Sequence, residues 1–136
     1  MLLHGAEFIL NGMELDWKRI VRDTVIIFVL IFIVGYVVGV IGRAVGLSEM
    51  MISAWISLSN LISASAGFAY SAYTVREKLW QHLIGVAVTI WFVSLINIPL
   101  GYQDLREWMF GLTGILVFMT IGGGIGFVLR KLRGKI

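Results

Sequence analysis

The chain has 136 residues, 59% of them hydrophobic and only 14% charged, which places it outside the range of soluble domains, where the charged fraction is nearer ~25%. Its net charge of +3 sits at the ends of apolar runs and so speaks for membrane orientation and against nucleic acid as a partner. With no cysteine, disulfides, thiolate metal sites and thiol chemistry are excluded together.

Residues 1–12, with His4, Gly5, Asn11 and Gly12, carry little pattern, and Met13 is an alternative start. From there Met13, Trp17, Ile20 and Val21 share one helical face, while Glu14, Lys18, Arg22 and Asp23 lie elsewhere around it. The spacing predicts a short interfacial amphipathic helix with Trp17 at headgroup depth, ahead of the first span. A helix that docks on a partner is the sharper alternative. Residues 1–23 form the largest extramembrane piece, too small for a core of its own.

Four apolar runs follow, over 24–45, 50–73, 79–100 and 108–129. Each has about the 20 residues that a helix rising ~1.5 Å per residue needs to cross ~30 Å of hydrocarbon. The predicted fold is therefore an all-α integral membrane protein, a four-helix transmembrane domain over 24–129 with a basic tail over 130–136. The first run exceeds the ~7–15 residues of a signal-peptide core and lacks a clear small-x-small cleavage site, so an uncleaved signal anchor is expected.

Nine of the eleven basic residues, Lys18, Arg19, Arg22, Arg76, Lys78, Arg130, Lys131, Arg133 and Lys135, fall on one side of these runs; only Arg43 and Arg106 fall on the other. The positive-inside rule then puts both termini in the cytoplasm, in a cytoplasmic membrane of bacterial or archaeal type. Trp80, Tyr70 and Tyr73 mark one boundary, Trp108 and Tyr102 the opposite one. Ser48 is placed to cap the second helix, and Asp104 with Glu107 forms a capping-box pattern for the fourth. A shift of 58 positions overlays Leu47-Ser48-Glu49-Met50-Met51 on Leu105-Arg106-Glu107-Trp108-Met109 and Ala64-Ser65-Ala66 on Gly122-Gly123-Gly124. As a duplication, this would relate two hairpins by an axis along the membrane normal.

Small residues recur along the runs. Gly35, Gly39, Gly42 and Gly46 define a glycine-zipper stripe on the first helix, and Gly111, Gly114, Gly122 and Gly126 a broader one on the fourth. Glycine inside a helix costs roughly 1 kcal/mol relative to alanine, so its repetition on one face points to close backbone approach. The second helix carries Ser53, Ser57, Asn60, Ala64, Gly67 and Ser71 at the same four-three alternation. Packing is the favoured reading of that stripe, and a path for ions or a small polar solute is the alternative, kept open by Asn60 near mid-membrane.

No run places Asp, Glu or Lys near its centre, which argues against proton coupling through a buried carboxylate and against an intramembrane aspartyl protease. His82, one turn into the third helix on the face of Gly85 and Thr89, has the side chain of a proton switch or, more commonly, of an interfacial hydrogen-bonding group. Arg43 at the far end of the first helix is read as snorkelling. Pro99 cannot donate to the carbonyl of Leu95, and that freed carbonyl beside Asn97 is read as helix termination before Gly101.

Gly122-Gly123-Gly124-Ile125-Gly126 has no preceding strand and no following GK[ST], so it is not a phosphate loop. Two histidines without clustered carboxylates give no metal site, and no serine has an evident base. No cofactor is expected, and Arg130, Lys131, Arg133 and Lys135 suit anionic lipid headgroups. The residues carry no family signature. The leading expectation is a non-enzymatic membrane subunit that packs through its glycine and serine seams into a homo-oligomer or larger complex. The alternative is a small oligomeric channel or transporter whose path runs by Ser53, Ser57, Asn60, Ser71, His82 and Asn97.

Overall fold

The computed structural model describes residues 15–134. His4, Gly5, Asn11, Gly12, Met13 and Lys135, and with them the beginning of the expected interfacial helix, lie outside the described residues. Among the described residues the fold has four helices: α1 (Trp17–Ala44), α2 (Glu49–Thr74), α3 (Leu79–Val93), continued by a 3-10 turn (Ser94–Asn97), and α4 (Leu105–Arg133). All four helical segments are long and apolar enough to cross a membrane, and the described residues contain no strand. The chain is a helical membrane protein.

Local chemistry sets the ends. Asp16 caps α1 by accepting from the Arg19 amide at 3.2 Å, and the helix then runs unbroken through position 24, because nothing between Trp17 and Thr24 interrupts helical hydrogen bonding. Its 28 residues span roughly 42 Å, more than the hydrocarbon thickness, so α1 tilts or projects beyond the apolar layer. Ser48 accepts from Met51, and Asp104 and Glu107 form the reciprocal capping box that opens α4. Gly46 lies beyond the end of α1 at φ 76°, with open space where a Cβ would be, so it turns the chain and does not extend the glycine stripe. At the end of α3, the amide of Ile98 supplies the Leu95 carbonyl with the donor that Pro99 lacks, and Tyr102 donates to the Asn97 carbonyl.

The helices run up-down-up-down and close a ring in the order α1, α2, α4, α3, with α1 diagonal to α4. A twofold axis along the membrane normal would exchange helices across the diagonal. Here α1 and α3 are neighbours, so the 58-residue repeat is not expressed as such an axis. One end of the bundle, the basic end, carries the start of α1 and α3 and the finish of α2 and α4. The apolar core lies in that half: Ile20 and Ile27 of α1, Phe68 and Ala72 of α2, Leu83 and Val86 of α3, and Met119 of α4.

Glycine decides how closely the helices approach. A Cβ at Gly122 would meet the carbonyl oxygen of Ser65, and one at Gly126 that of Ala69, so α4 rests directly on the backbone of α2. Gly35, Gly39 and Gly42 receive Asn60, Ile56 and Ile52 from α2. Gly111 has only Gln103 nearby, and Gly114 faces open space. At the turn end α3 and α4 are joined by Trp91 and Trp108, whose rings stack at 4.1 Å while each indole N–H donates to the other's backbone carbonyl at 2.9 Å.

Candidate functional site

Three helices bring their polar groups together near the basic end. Asp23 lies roughly two turns into α1, on the face of Ile20, Thr24 and Ile27, and is turned into the bundle with 1% of its surface exposed. Ser71 comes from the last turn of α2 and is fully buried; His82, from the first turn of α3, is 5% exposed. The Ser71 hydroxyl donates to Asp23 Oδ2 at 2.5 Å, and Nε2 of His82 lies 2.8 Å from the same oxygen and 3.1 Å from Ser71 Oγ. On the other side, half-exposed Arg22 donates through Nε to Asp23 Oδ1 at 2.8 Å, with Nη2 at 2.7 Å.

The hydrogen-bond count assigns the protons. Ser71 spends its proton on Asp23, so the close approach of Nε2 to the same carboxylate oxygen requires Nε2 to be the donor. Asp23 thus accepts from three groups on three helices, the condition under which a buried carboxylate is tolerated. Nδ1 of His82 has no partner among the described residues.

Above His82 the bundle opens into a cavity of about 430 Å³, whose polar lining is Asp16, Arg19, Arg76, Glu77, Lys78 and His82. Asp16 and Arg19 pair at 3.1 Å on its rim. Lys78 stands at the N-cap of α3 in the left-handed region, φ 49°, where the chain turns sharply from α2 into α3. The result is a charged vestibule with an imidazole at its floor and a carboxylate behind it.

Serine, histidine and aspartate together invite comparison with a nucleophilic triad, but the geometry is different. A triad puts serine and carboxylate on opposite ring nitrogens, so that the base draws the hydroxyl proton. Here both approach Nε2, and Ser71 gives its proton to the carboxylate. The arrangement binds and moves protons more readily than it attacks a carbonyl. Among the described residues no three His, Cys, Asp or Glu side chains gather as a metal site.

Of the sequence-predicted path, the structure brings Ser71 and His82 together. Asn60 sits at the α1/α2 interface opposite Gly35, its Oδ1 buried and without a partner, like Thr24 Oγ1 and Ser65 Oγ. Ser53 and Ser57 are exposed, with Ser57 bonded to the Ser53 carbonyl, and Asn97 is in the 3-10 turn at the far end. Between Ser71 and Asn60 the stripe is closed, because Ile27 packs into the space over Gly67. Of the expected headgroup residues, Arg130 bonds the Val75 carbonyl and Arg133 the Tyr73 hydroxyl, tying α4 to the end of α2; Lys131 is exposed.

Asp23 and Arg22 were missed because a charge beside Lys18 and Arg19 reads as the solvated side of an interfacial helix. The available signal was the spacing of Ile20, Thr24 and Ile27, which carries the apolar stripe of the span back past Asp23.

Fold and site together define a class: a four-helix membrane protein with an acid, imidazole and hydroxyl cluster buried at one end beneath a charged vestibule. No known protein family matches the chain, nor does any curated protein or solved structure.

Proposed function

We propose that the protein is a small membrane transport protein, working as an oligomer or with partner subunits, that takes a small cation from the vestibule onto the Asp23 cluster. The observation that carries this reading is the buried carboxylate of Asp23, held behind the His82 that lines the vestibule. A charge inside a membrane bundle is costly, and where it is kept with partners it marks an ion or proton route by default. The stripe from Ser71 through Asn60 toward Ser57 and Ser53 supplies the onward direction, with Ile27 as its closure in this conformation. The vestibule then opens to the cytoplasm, as the basic residues around it imply.

Purified protein in proteoliposomes tests the proposal, with flux of protons and of alkali cations followed under an imposed gradient. Flux that Asp23→Asn abolishes supports it; flux equal to empty liposomes for every ion defeats it.

A second reading, the non-enzymatic assembly subunit, is favoured by a separate observation: Gly114 and Gly124 on α4 have open space where a neighbouring helix could approach. Gly39 and Gly122 already serve contacts within the chain. Loss of association in Gly114→Leu and Gly124→Leu, by native mass spectrometry from gently extracted membranes, supports this reading; unchanged association counts against it.

A further inference from the structure

We infer that His82 is a proton relay, taking a proton from vestibule water on Nδ1 and passing one from Nε2 to Asp23. This rests on the transport reading and names its ion as the proton.

The two ring nitrogens have separate surroundings. Nε2 is committed to Asp23 Oδ2 and Ser71 Oγ at 2.8 and 3.1 Å, while Nδ1 has no protein partner among the described residues and the ring borders the vestibule. With Nε2 as donor, Nδ1 carries the ring's free lone pair, on a residue that lines the vestibule.

The step balances without redox chemistry. A hydronium ion in the vestibule gives its proton to Nδ1, forming Nδ1–H and leaving water; the Nε2–H bond breaks and an O–H bond forms at Asp23 Oδ2. The net change is one proton on the carboxylate and the opposite neutral tautomer of the ring. Ser71 makes the exchange reversible in place, because its hydroxyl is near both Oδ2 and Nε2 and switches from donor to acceptor without moving. Among the described residues, charged groups face the cluster from several elements. Arg22 stays on Oδ1, with Asp16 of α1 and Tyr70 of α2 near it; Arg19, Arg76, Glu77 and Lys78 surround the entrance; Arg130 of α4 is engaged with Val75. Neutralising Asp23 leaves Arg22 without its counter-charge, and this couples proton binding to the junction of α1 with α2 and α3.

The test uses the full chain labelled with ¹⁵N-histidine in lipid, in a His4→Gln background that leaves His82 as the only imidazole. The expected spectrum is a neutral ring protonated on Nε2 with a bare Nδ1 that takes up a proton on acidification. Proton flux in proteoliposomes should fall to that of empty vesicles in His82→Gln and in Asp23→Asn, and a sodium gradient without a pH gradient should drive none. A ring protonated on Nδ1 at the outset, or one whose Nδ1 takes no proton on acidification, overturns the relay and leaves His82 a helix tie. Ion flux that survives His82→Gln overturns the relay while the transport reading stands. A ring that titrates on Nδ1 in a protein with no flux of any ion keeps the relay and removes the transport reading.

Discussion

Asp23 and His82, 59 positions apart in the chain, meet at 2.8 Å, and with Ser71 on the same carboxylate oxygen they fasten α1, α2 and α3 at one point. The contact is enclosed, so its loss is felt in stability as well as in chemistry. Asp23→Asn keeps the shape but removes the charged acceptor, and about 1–3 kcal/mol should be lost as buried donors go unsatisfied. His82→Gln should cost a similar amount. Because the two side chains share one interaction, the double variant should lose less than the sum, with a coupling of about 0.5–3 kcal/mol measured by reversible unfolding in mixed micelles. Additive losses would mean that the pair does not act as a unit.

The α2/α4 contact is set by glycine and fails differently. In Gly122→Ala and Gly126→Ala the new methyl group meets backbone carbonyls of Ser65 and Ala69, which cannot rotate away as a side chain would. Each substitution should destabilise the bundle by about 1–3 kcal/mol. Gly114→Ala and Gly124→Ala put the same methyl group into open space and should be neutral or gain up to ~1 kcal/mol of helix propensity. Equal behaviour of the two pairs would show that close backbone approach is not what the Gly122 and Gly126 positions serve.

Four spans and their caps were legible, since apolar length and capping pairs are local signals, and small-residue spacing singled out Gly122 and Gly126 as candidates for close approach. Which glycine faces which helix was not: Gly114 and Gly122 belong to the same stripe, yet only Gly122 has a neighbour, because pairing depends on how the hairpins fold together. The site was half legible. Ser71 and His82 stood out as polar groups within apolar runs, but Asp23 was hidden among the charges that precede the first run, and only the tertiary contact turns it inward.

At the turn end the reciprocal bonds of Trp91 and Trp108 replace the wide core found at the basic end. Trp91→Phe keeps most of the stacking and removes one N–H donor, leaving the Trp108 carbonyl with its helical partner alone. A loss of about 0.5–1.5 kcal/mol is expected, with opening confined to the α3/α4 ends in hydrogen exchange. Uniform loss of protection along α1 and α2 would contradict a local clamp.

The charge asymmetry predicts sidedness that the cysteine-free chain makes simple to measure. Single cysteines at Arg76 and Gly134 should react with a membrane-impermeant thiol reagent only when the cytoplasmic face is open to it. A cysteine at Arg106 should react only from the opposite face. The reverse pattern would invert the topology, and with it the side from which the vestibule is filled.

Ile27 offers the most direct test of whether the polar stripe of α2 is a closed path or merely packing. Its side chain fills the space over Gly67, between Ser71, buried beside His82, and the unpartnered Oδ1 of Asn60. Ile27→Ala removes that filling and, by analogy with soluble cores, should cost about 2–5 kcal/mol less whatever the helices recover by closing up. In an otherwise cysteine-free chain, Asn60→Cys should be unreactive toward a small water-soluble thiol reagent entering from the basic end. With Ile27→Ala added, the same cysteine should become reactive, since water entering beside Thr24 would reach Asn60. An Asn60→Cys that is already labelled with Ile27 in place would show that Ile27 is not the closure. Persistent protection after Ile27→Ala, in a protein that remains folded, would assign the stripe to helix packing and leave the vestibule a dead end.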